Sequence, residues 1–391
     1  MTDTASRFTA RAGTGTCSCG HPHTVPIRHI FTGAGALSGL KEILNPFQNR
    51  NVYLMGDSIT MALGRDRVLT FLKEAGCRVQ EHAFACAPGQ HPVTDERLIG
   101  SALAHMARET DLIVAIGSGT MNDTARMIAA RCRIPYVIVA TAPSMDGYAS
   151  VTSAVVMDGG KKSLVLGTPY AIVGDTELLK TAPDQLLAAG AADILGKYIA
   201  VRDWRLASRE TGEYFCEMIA ELVLATADRC AETLPALFSR NEHMVKDMMD
   251  SLITAGTAIS MYGTSRPAAG MEHQIAHAWE VEALRNGAGE GLHGNYVGLG
   301  ALAACRLYEL ASRDYDLPGA DRMPSFETMG TYIRQLKGYS SLSALAIGRD
   351  AFRRGILHAA QPEIRYTLAS FLRQQGTIEA CADQVTEEFF A

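Results

Sequence analysis

A change in the spacing of apolar residues near residue 175 constrains the fold of this 391-residue chain more than any other feature. Before it, short apolar runs alternate with stretches of helical spacing. After it, apolar residues recur at intervals near 3.6, and no further strand is predicted. Strands that alternate with helices favour a mainly parallel sheet covered by helices on both faces. We therefore expect an α/β first half and an all-α second half.

This change in spacing also sets the expected domain bounds. Residues 1–24 are polar and rich in small side chains and predict a flexible tail. Residues 25–180 should form the α/β domain, and residues 181–391 the helical domain. Strands are expected at residues 52–55, 78–83, 112–116 and 136–140. The helices expected in the second half lie at residues 187–200, 214–226, 244–257, 274–285 and 296–312.

Composition excludes several classes of partner. The net charge of −6 offers no basic surface for nucleic acid and no polybasic membrane anchor. No apolar run reaches the roughly 18 residues that a membrane-spanning helix needs. The nine cysteines are odd in number and have no framework spacing, so we expect reduced thiols and a cytoplasmic location.

Two loops at the ends of predicted strands could bind a ligand, because ligands of open parallel sheets lie beyond the strands' carboxyl ends. Residues 117–123 follow one strand and open a helix, where glycines and amide groups suit a pyrophosphate. The segment is not GxGxxG, since Asn122 replaces the third glycine, and a plain tight turn is the alternative. Residues 140–150 are rich in hydroxyls, and their Asp146 could bind a substrate hydroxyl or cap a helix.

Asp57 ends an earlier strand. It could accept hydrogen bonds from an adenosine ribose, or it could be a solvated turn residue.

The second half contains a candidate metal site. His273 and His277 are four residues apart and share one helix face, and His293 follows a short loop. Asp193 lies in an apolar, small-residue helix, where a buried carboxylate is costly unless it is paired or binds a metal. One aspartate and two histidines would make a three-ligand site with an open position, as catalytic zinc uses. Imidazoles also suit iron or nickel.

The N-terminal segment at residues 17–23 reads CSCGHPH. Its spacing could hold zinc, but its polar flanks favour an inert or loosely ordered tail.

Five motifs occur in one order along the chain. They are GSGTMNDTAR at 117–126, TAPSMDGYAS at 141–150, AAGAADILGKY at 188–198, SRPAAGMEHQIAH at 265–277 and LHGNYVGLG at 292–300. Together they resemble the glycerol-1-phosphate dehydrogenases, and their bacterial branch in particular. This family lies within the wider class of iron-containing alcohol dehydrogenases and dehydroquinate synthases. The resemblance extends from about residue 27 to residue 302.

The resemblance implies a dehydroquinate synthase-like fold, with a Rossmann-like dinucleotide-binding domain and an all-α metal-binding domain. It implies that Asp193, His273 and His293 bind the metal, that Asp146, Asp193 and His277 bind substrate, and that Asp146 and His277 take part in catalysis. The residues implied to hold the dinucleotide are Gly117, Ser118, Gly119, Thr120, Met121, Thr141, Ser144 and Ser150. The family often has HGE where this chain has His293-Gly294-Asn295, which places a contact around the metal in doubt.

The implied activity is the interconversion of dihydroxyacetone phosphate and sn-glycerol 1-phosphate, with NAD(P) and one divalent metal ion. Zinc is the expected metal, with nickel or iron as alternatives. Arg266 is the expected cation for the phosphate, with Lys161 or Lys162 as alternatives. Self-association into a homodimer or a larger assembly is also expected.

Three other functions remain open from the sequence. An NAD-dependent dehydrogenase could act on an unphosphorylated polyol or alcohol such as glycerol. A dehydroquinate-synthase-like lyase would reduce and reoxidise NAD within one turnover. A non-enzymatic binding module would be expected to lack one or more of the three metal-binding residues, which are all present.

Overall fold

The structure is a computed structural model that describes residues 17–86, 92–286, 291–361 and 365–391. Residues 1–16 of the predicted tail lie outside these ranges. The chain divides into two compact units. The first unit comprises Met1–Pro183 and Phe238–Thr264, and the second comprises Asp184–Leu237 and Ser265–Ala391.

The elements are numbered in chain order. The strands are β1 His29–Gly33, β2 Asn51–Asp57, β3 Arg78–Phe84, β4 Leu112–Gly117, β5 Tyr136–Ala140, β6 Thr152–Met157, β7 Gly160–Val165 and β8 Ala171–Asp175. The first helices are α1 Leu40–Ile43, α2 Ser58–Glu74, α3 Glu96–His105, α4 Gly119–Cys132 and α5 Thr176–Leu179. The remaining helices are α6 Asp184–Leu195, α7 Lys197–Thr211, α8 Glu217–Thr233, α9 Glu242–Tyr262, α10 Met271–Arg285, α11 His293–Ala311, α12 Phe326–Arg334, α13 Arg349–His358, α14 Leu368–Gln374 and α15 Ile378–Phe390.

Within the described residues, six strands of the first unit form one parallel sheet in the order β1-β8-β5-β4-β2-β3. Strands β4 and β5 are buried along their whole length, because helices cover both faces and favour unbroken apolar runs. The register pairs Gly56 with Ile116 and Gly117 with Ala140. The carboxyl ends of β2, β4 and β5 therefore meet at one edge. The predicted fold class is confirmed.

Strands β6 and β7 form an antiparallel hairpin that the sequence analysis did not predict. Asp158 and Gly159 make its two-residue turn, with φ angles of 53° and 72°. Two positive φ angles define the type I′ turn, for which Asp-Gly is a strong signal. The sequence contains this Asp-Gly dipeptide, but apolar and polar residues alternate too weakly on either side of it to predict two strands.

Helix α9 belongs to the first unit, whereas the predicted bounds place it in the helical domain at residues 181–391. Thr32 Oγ1 in β1 donates to Asp250 Oδ1 at 2.7 Å. A Cβ on Gly256 would lie 2.2 Å from the carbonyl oxygen of Asp146, so only glycine lets this helix pack on the loop after β5. Periodicity shows that a segment is helical, but not which neighbour buries its apolar face.

In its described residues the second unit is helical, as predicted. Helix α11 packs closely on two others through glycines. A Cβ on Gly294 would lie 1.9 Å from the carbonyl oxygen of Ala189 in α6, and one on Gly300 would lie 2.6 Å from that of Glu272 in α10. These close approaches bring α6, α10 and α11 together. Among the described residues, none of the helices combines the length and the hydrophobicity of a membrane-spanning segment.

Candidate active site

The second unit brings together one carboxylate and two imidazoles. Asp193, His273 and His293 come from α6, α10 and α11, and each offers a ligand atom within 4.8 Å of the other two. His273 Nε2 is 3.4 Å from Asp193 Oδ1, and the ring centroids of His273 and His293 are 5.2 Å apart. This is a donor set that a divalent cation can use.

The charge of Asp193 is balanced by Lys197, which was not among the predicted site residues. Lys197 Nζ donates to Asp193 Oδ1 at 2.8 Å, and both side chains are almost fully buried. Burial acts to raise the pKa of Asp193, but Lys197 and His273 outweigh it and hold the pKa well below its usual range. The carboxylate is therefore ionised, which is the form that binds a metal.

His273 lies between two carboxylates. Its Nδ1 is 2.6 Å from Glu272 Oε1, on the side away from Asp193. Burial lowers the pKa of His273, but the hydrogen bonds to Asp193 and Glu272 outweigh burial and raise the pKa to about 9. At neutral pH this imidazole carries a proton that a cation would replace.

Glu280 joins the two remaining imidazoles and was also missed. Its Oε2 is 2.9 Å from His277 Nδ1, and its Oε1 is 2.8 Å from His293 Nδ1. A carboxylate at Nδ1 makes that nitrogen the donor, so Nε2 of each ring has its lone pair available. The His277 side chain is 40% exposed, so it can exchange protons with solvent or substrate. Glu280 stands three residues after His277 on a predicted helix, so the sequence could have indicated that the two side chains share one helix face.

The structure also shows the environment of Asn295, which stands where the family often has a glutamate. Asn295 is buried, and its Oδ1 has no hydrogen-bond partner among the described residues. That oxygen therefore accepts no hydrogen bond from the histidines.

In the first unit, residues 117–121 lie at the carboxyl edge of the sheet, between β4 and α4. A Cβ on Gly117 would lie 2.4 Å from Met121 Cγ, so this turn requires a glycine. Ser118 occupies the N-cap position, and Gly119 and Thr120 begin α4. Amide groups of the first turn of this helix suit an anionic oxygen.

The loop after β5 is joined to this turn and held by α4. Thr141 N donates to Gly117 O at 3.1 Å. The buried Arg126 donates to the carbonyl oxygens of Gly147 at 2.5 Å and Thr152 at 2.6 Å. Asn122 Nδ2 also donates to Gly147 O, at 3.2 Å. Both residues stand in the motif at 117–126, but their positioning role was not recognised from the sequence.

The three hydroxyl residues of this loop, Thr141, Ser144 and Ser150, are all buried. Ser150 Oγ lies 2.8 Å from Thr152 Oγ1 and accepts from Thr152 N, so it supports the start of β6. Asp146 is half-buried and begins a short 3₁₀ helix whose N-cap is Met145, so Asp146 is not the cap.

Asp57 caps α2. Its Oδ1 accepts from Ile59 N and Thr60 N, both at 2.9 Å, and its Oδ2 accepts from Thr60 Oγ1 at 2.9 Å. The carboxylate is 7% exposed and is part of a capping box. A ribose hydroxyl would have to share oxygens that already accept hydrogen bonds.

Arg266 is buried, and its guanidinium holds the second unit together. Nη2 donates to Asp203 O at 3.1 Å and to Tyr366 O at 2.9 Å, while Nε is 2.9 Å from Glu213 Oε1. The alternative cation Lys162 is exposed on the hairpin and pairs with Asp158 at 2.5 Å.

Comparison with known proteins first defines the class. The iron-containing alcohol dehydrogenase family matches residues 31–183. The glycerol dehydrogenase of Schizosaccharomyces pombe has a similar structure (TM-score 0.67, 15% identity, 92% of this chain and 90% of that chain). So has the sulfoacetaldehyde reductase of Bifidobacterium kashiwanohense, solved with NAD+ (TM-score 0.69, 14% identity, 94% and 97%). At these identities the likeness shows the fold alone, which is that of the iron-containing alcohol dehydrogenases.

Sequence relatives then narrow the class. The glycerol-1-phosphate dehydrogenase [NAD(P)+] of Bacillus velezensis is 30% identical over 91% of this chain and 93% of its own length. The enzyme of that name from Methanothrix thermoacetophila is 33% identical over 72% and 77%. The chain belongs to the glycerol-1-phosphate dehydrogenase family, as its five motifs predicted.

Proposed function

We propose that this chain is a metal-dependent, NAD(P)-linked oxidoreductase that interconverts dihydroxyacetone phosphate and sn-glycerol 1-phosphate. The observation that carries the proposal is the cluster of Asp193, His273 and His293, whose ligand atoms lie within 4.8 Å of one another. The names of the relatives support the substrate pair and the cofactor.

The donor set fits a divalent cation. The carboxylate is ionised, and two imidazoles turn Nδ1 to a glutamate and leave Nε2 for a ligand bond. We propose zinc, with nickel or iron as alternatives, because one carboxylate and two imidazoles suit all three. A cation held there would supply Lewis-acid polarisation of a carbonyl oxygen.

His277 is proposed to move the proton. Glu280 holds the hydrogen on Nδ1, so during reduction Nε2 would take up a proton from solvent and pass it to the substrate oxygen, and during oxidation it would accept that proton and return it to solvent. Asp146 is proposed to hold a neighbouring hydroxyl of the substrate. Both roles follow the family motif residue by residue.

The first unit is proposed to bind the dinucleotide, which supplies the hydride. Asp57 is proposed to contact the ribose, in addition to capping α2. The other proposed contacts are Gly117, Ser118, Gly119, Thr120, Met121, Thr141, Ser144 and Ser150.

Arg266 remains the proposed cation for the phosphate, with Lys161 and Lys162 as alternatives. Because Arg266 also holds two backbone carbonyls, its replacement should lower stability as well as affinity. If the KM of an Arg266 variant rises for dihydroxyacetone phosphate but not for dihydroxyacetone, the lost interaction is with the phosphate. A general loss of folded structure would affect both substrates.

The deciding experiment combines metal analysis with reduction of dihydroxyacetone phosphate, using NADH and NADPH separately. We expect about one divalent ion at this cluster and substrate-dependent oxidation of the reduced cofactor. Equal rates with dihydroxyacetone would favour a polyol dehydrogenase, and turnover without net cofactor oxidation would favour a lyase. Full activity in protein stripped of metal would contradict the proposal.

Sedimentation would test the expected homodimer or larger assembly.

A further inference from the structure

A second group of side chains that could hold a metal ion lies in the first unit, at the N-terminal end of the described chain. Cys17 Sγ, Cys19 Sγ and a ring nitrogen of His23 lie within 4.8 Å of one another. Cys19 Sγ is 3.3 Å from His23 Nε2. We propose that these three residues bind a zinc ion that is distinct from the ion at the candidate active site.

A closed backbone turn brings the two thiols together. Gly20 N donates to Cys17 O at 2.8 Å, and Cys17 N donates to His21 O at 3.3 Å. Gly20 has a φ of 84°, which favours glycine. The chain therefore folds back within five residues and places the two cysteine side chains close to the following histidine.

His23 is oriented by a distant part of the same unit. It is 4% exposed, and its Nδ1 is 3.4 Å from the carbonyl oxygen of Met261 in α9. Because a carbonyl can only accept, Nδ1 carries the hydrogen and Nε2 presents its lone pair on the side of Cys19. His21, two residues earlier, is exposed and lies outside the group.

This burial changes the interpretation of the segment. The polar flanks of this segment predict an inert or loosely ordered tail. The contact between His23 and Met261 spans 238 positions, so no local pattern could reveal it.

The ligand chemistry favours zinc. Thiolates and imidazole select zinc over the hard cations magnesium and calcium. In a tetrahedral site, Zn–S bonds of about 2.3 Å and Zn–N bonds of about 2.0 Å place the two ligand atoms roughly 3.5 Å apart. The distance of 3.3 Å between Cys19 and His23 is close to this value. Binding would release the thiol protons to solvent and fasten residues 17–23 to α9 through His23.

The test uses the full-length protein with cobalt in place of zinc. Thiolate ligands give cobalt a strong charge-transfer absorption in the near ultraviolet, whereas the carboxylate and imidazoles of the candidate active site cannot. We expect this band in the native protein, and X-ray absorption should show at least two sulphur neighbours. Absence of both signals overturns the proposal without any variant, so misfolding of a variant cannot obscure the result.

Variants then assign the residues. C17S/C19S should lose the band and about one metal ion per chain. His23→Ala should weaken the band, whereas the control variants His21→Ala and Cys132→Ser should keep it. A band that survives in C17S/C19S, or equal effects at His21 and His23, contradicts the assignment. Metal content and absorption do not depend on reduction of dihydroxyacetone phosphate, so this site and the proposed function fail independently.

Discussion

The two units build their candidate binding sites from different chemical groups. In the first unit, glycines, amides and hydroxyls of two loops line the carboxyl edge of the sheet, and the charged Arg126 acts through backbone carbonyls. In the second unit, ionisable side chains on packed helices meet directly, each balanced by a partner such as Lys197 or Glu280. The loops should therefore be sensitive to added volume, and the helical cluster to lost charge.

The largest effect is expected for His273→Ala. The variant should retain no metal at the cluster and lose activity by about a thousand-fold or more, because a bound cation is worth several kcal/mol of charge stabilisation. Metal content and turnover of dihydroxyacetone phosphate are measured together. The control is His243→Ala, which changes an exposed helical histidine of the first unit. Wild-type turnover in metal-free His273→Ala would contradict the expected sensitivity of the helical cluster to the loss of a metal-binding side chain.

The next effect concerns Asp203, whose carboxylate binds the first amide group of α10 and of α14 in the second unit. Its carboxylate accepts from Met271 N at 2.6 Å, Leu368 N at 2.9 Å and Tyr308 Oη at 2.6 Å. Burial, with a smaller effect of Glu272, raises its pKa from 3.8 to about 6. The folded protein thus binds this proton more tightly than the unfolded chain does. The resulting stabilisation is complete below pH 3.8 and is lost as the pH rises through about 6.

Asp203→Asn should remove this pH dependence. The difference in unfolding free energy between wild type and variant should shrink by roughly 3 kcal/mol as the pH rises across that window. Denaturant unfolding at several pH values measures the difference. A difference that stays constant with pH would show that the carboxylate does not titrate in this range.

A smaller effect is expected for Glu280→Gln. Loss of the carboxylate that orients His277 and His293 should weaken metal affinity or activity by roughly 10 to 100-fold. Glu282→Gln is the matched control on the same helix, since Glu282 pairs with Arg354. Equal behaviour of the two variants in metal titrations would exclude the orienting role.

In the first unit, Gly117→Ala should raise the KM for the dinucleotide by about tenfold, or about 1.4 kcal/mol, because the added methyl group collides with Met121. Metal content should not change. Gly100→Ala in α3 is the control, since its methyl group would meet nothing within 4 Å. A loss of metal in Gly117→Ala would contradict the separate sensitivities of the two units.

The smallest effect is expected for Asp57→Asn. Asparagine caps helices about as well as aspartate, so stability should change by less than about 0.5 kcal/mol. If the carboxylate also contacts the ribose, the variant should use NADPH relatively better than NADH by a few-fold, because repulsion of a 2′-phosphate is removed. An unchanged ratio of kcat/KM for the two cofactors would leave Asp57 as a cap only.

Local patterns in the sequence were enough to predict the class of each half and to locate the motifs. Alternating apolar runs predicted strands β2 to β5 within a few residues, because burial on both faces leaves a local trace in composition. The loops after β4 and β5 could be placed at one sheet edge, because parallel strands end on the same side. Residue chemistry predicted a metal site from one aspartate and two histidines, and the family resemblance assigned Asp193, His273 and His293 to it.

The contacts between distant side chains depend on the packing of the whole chain and are not predicted by local patterns. Glu280 can bridge His277 and His293 because the glycines of α11 allow three helices to approach, and His23 is buried because α9 returns to the first unit. Periodicity reports how each residue is exposed, whereas a contact between distant residues depends on how the whole chain packs. For this reason the partners of the candidate metal-binding residues, the grouping of α9 and the thiol group near the N-terminus are visible only in the fold.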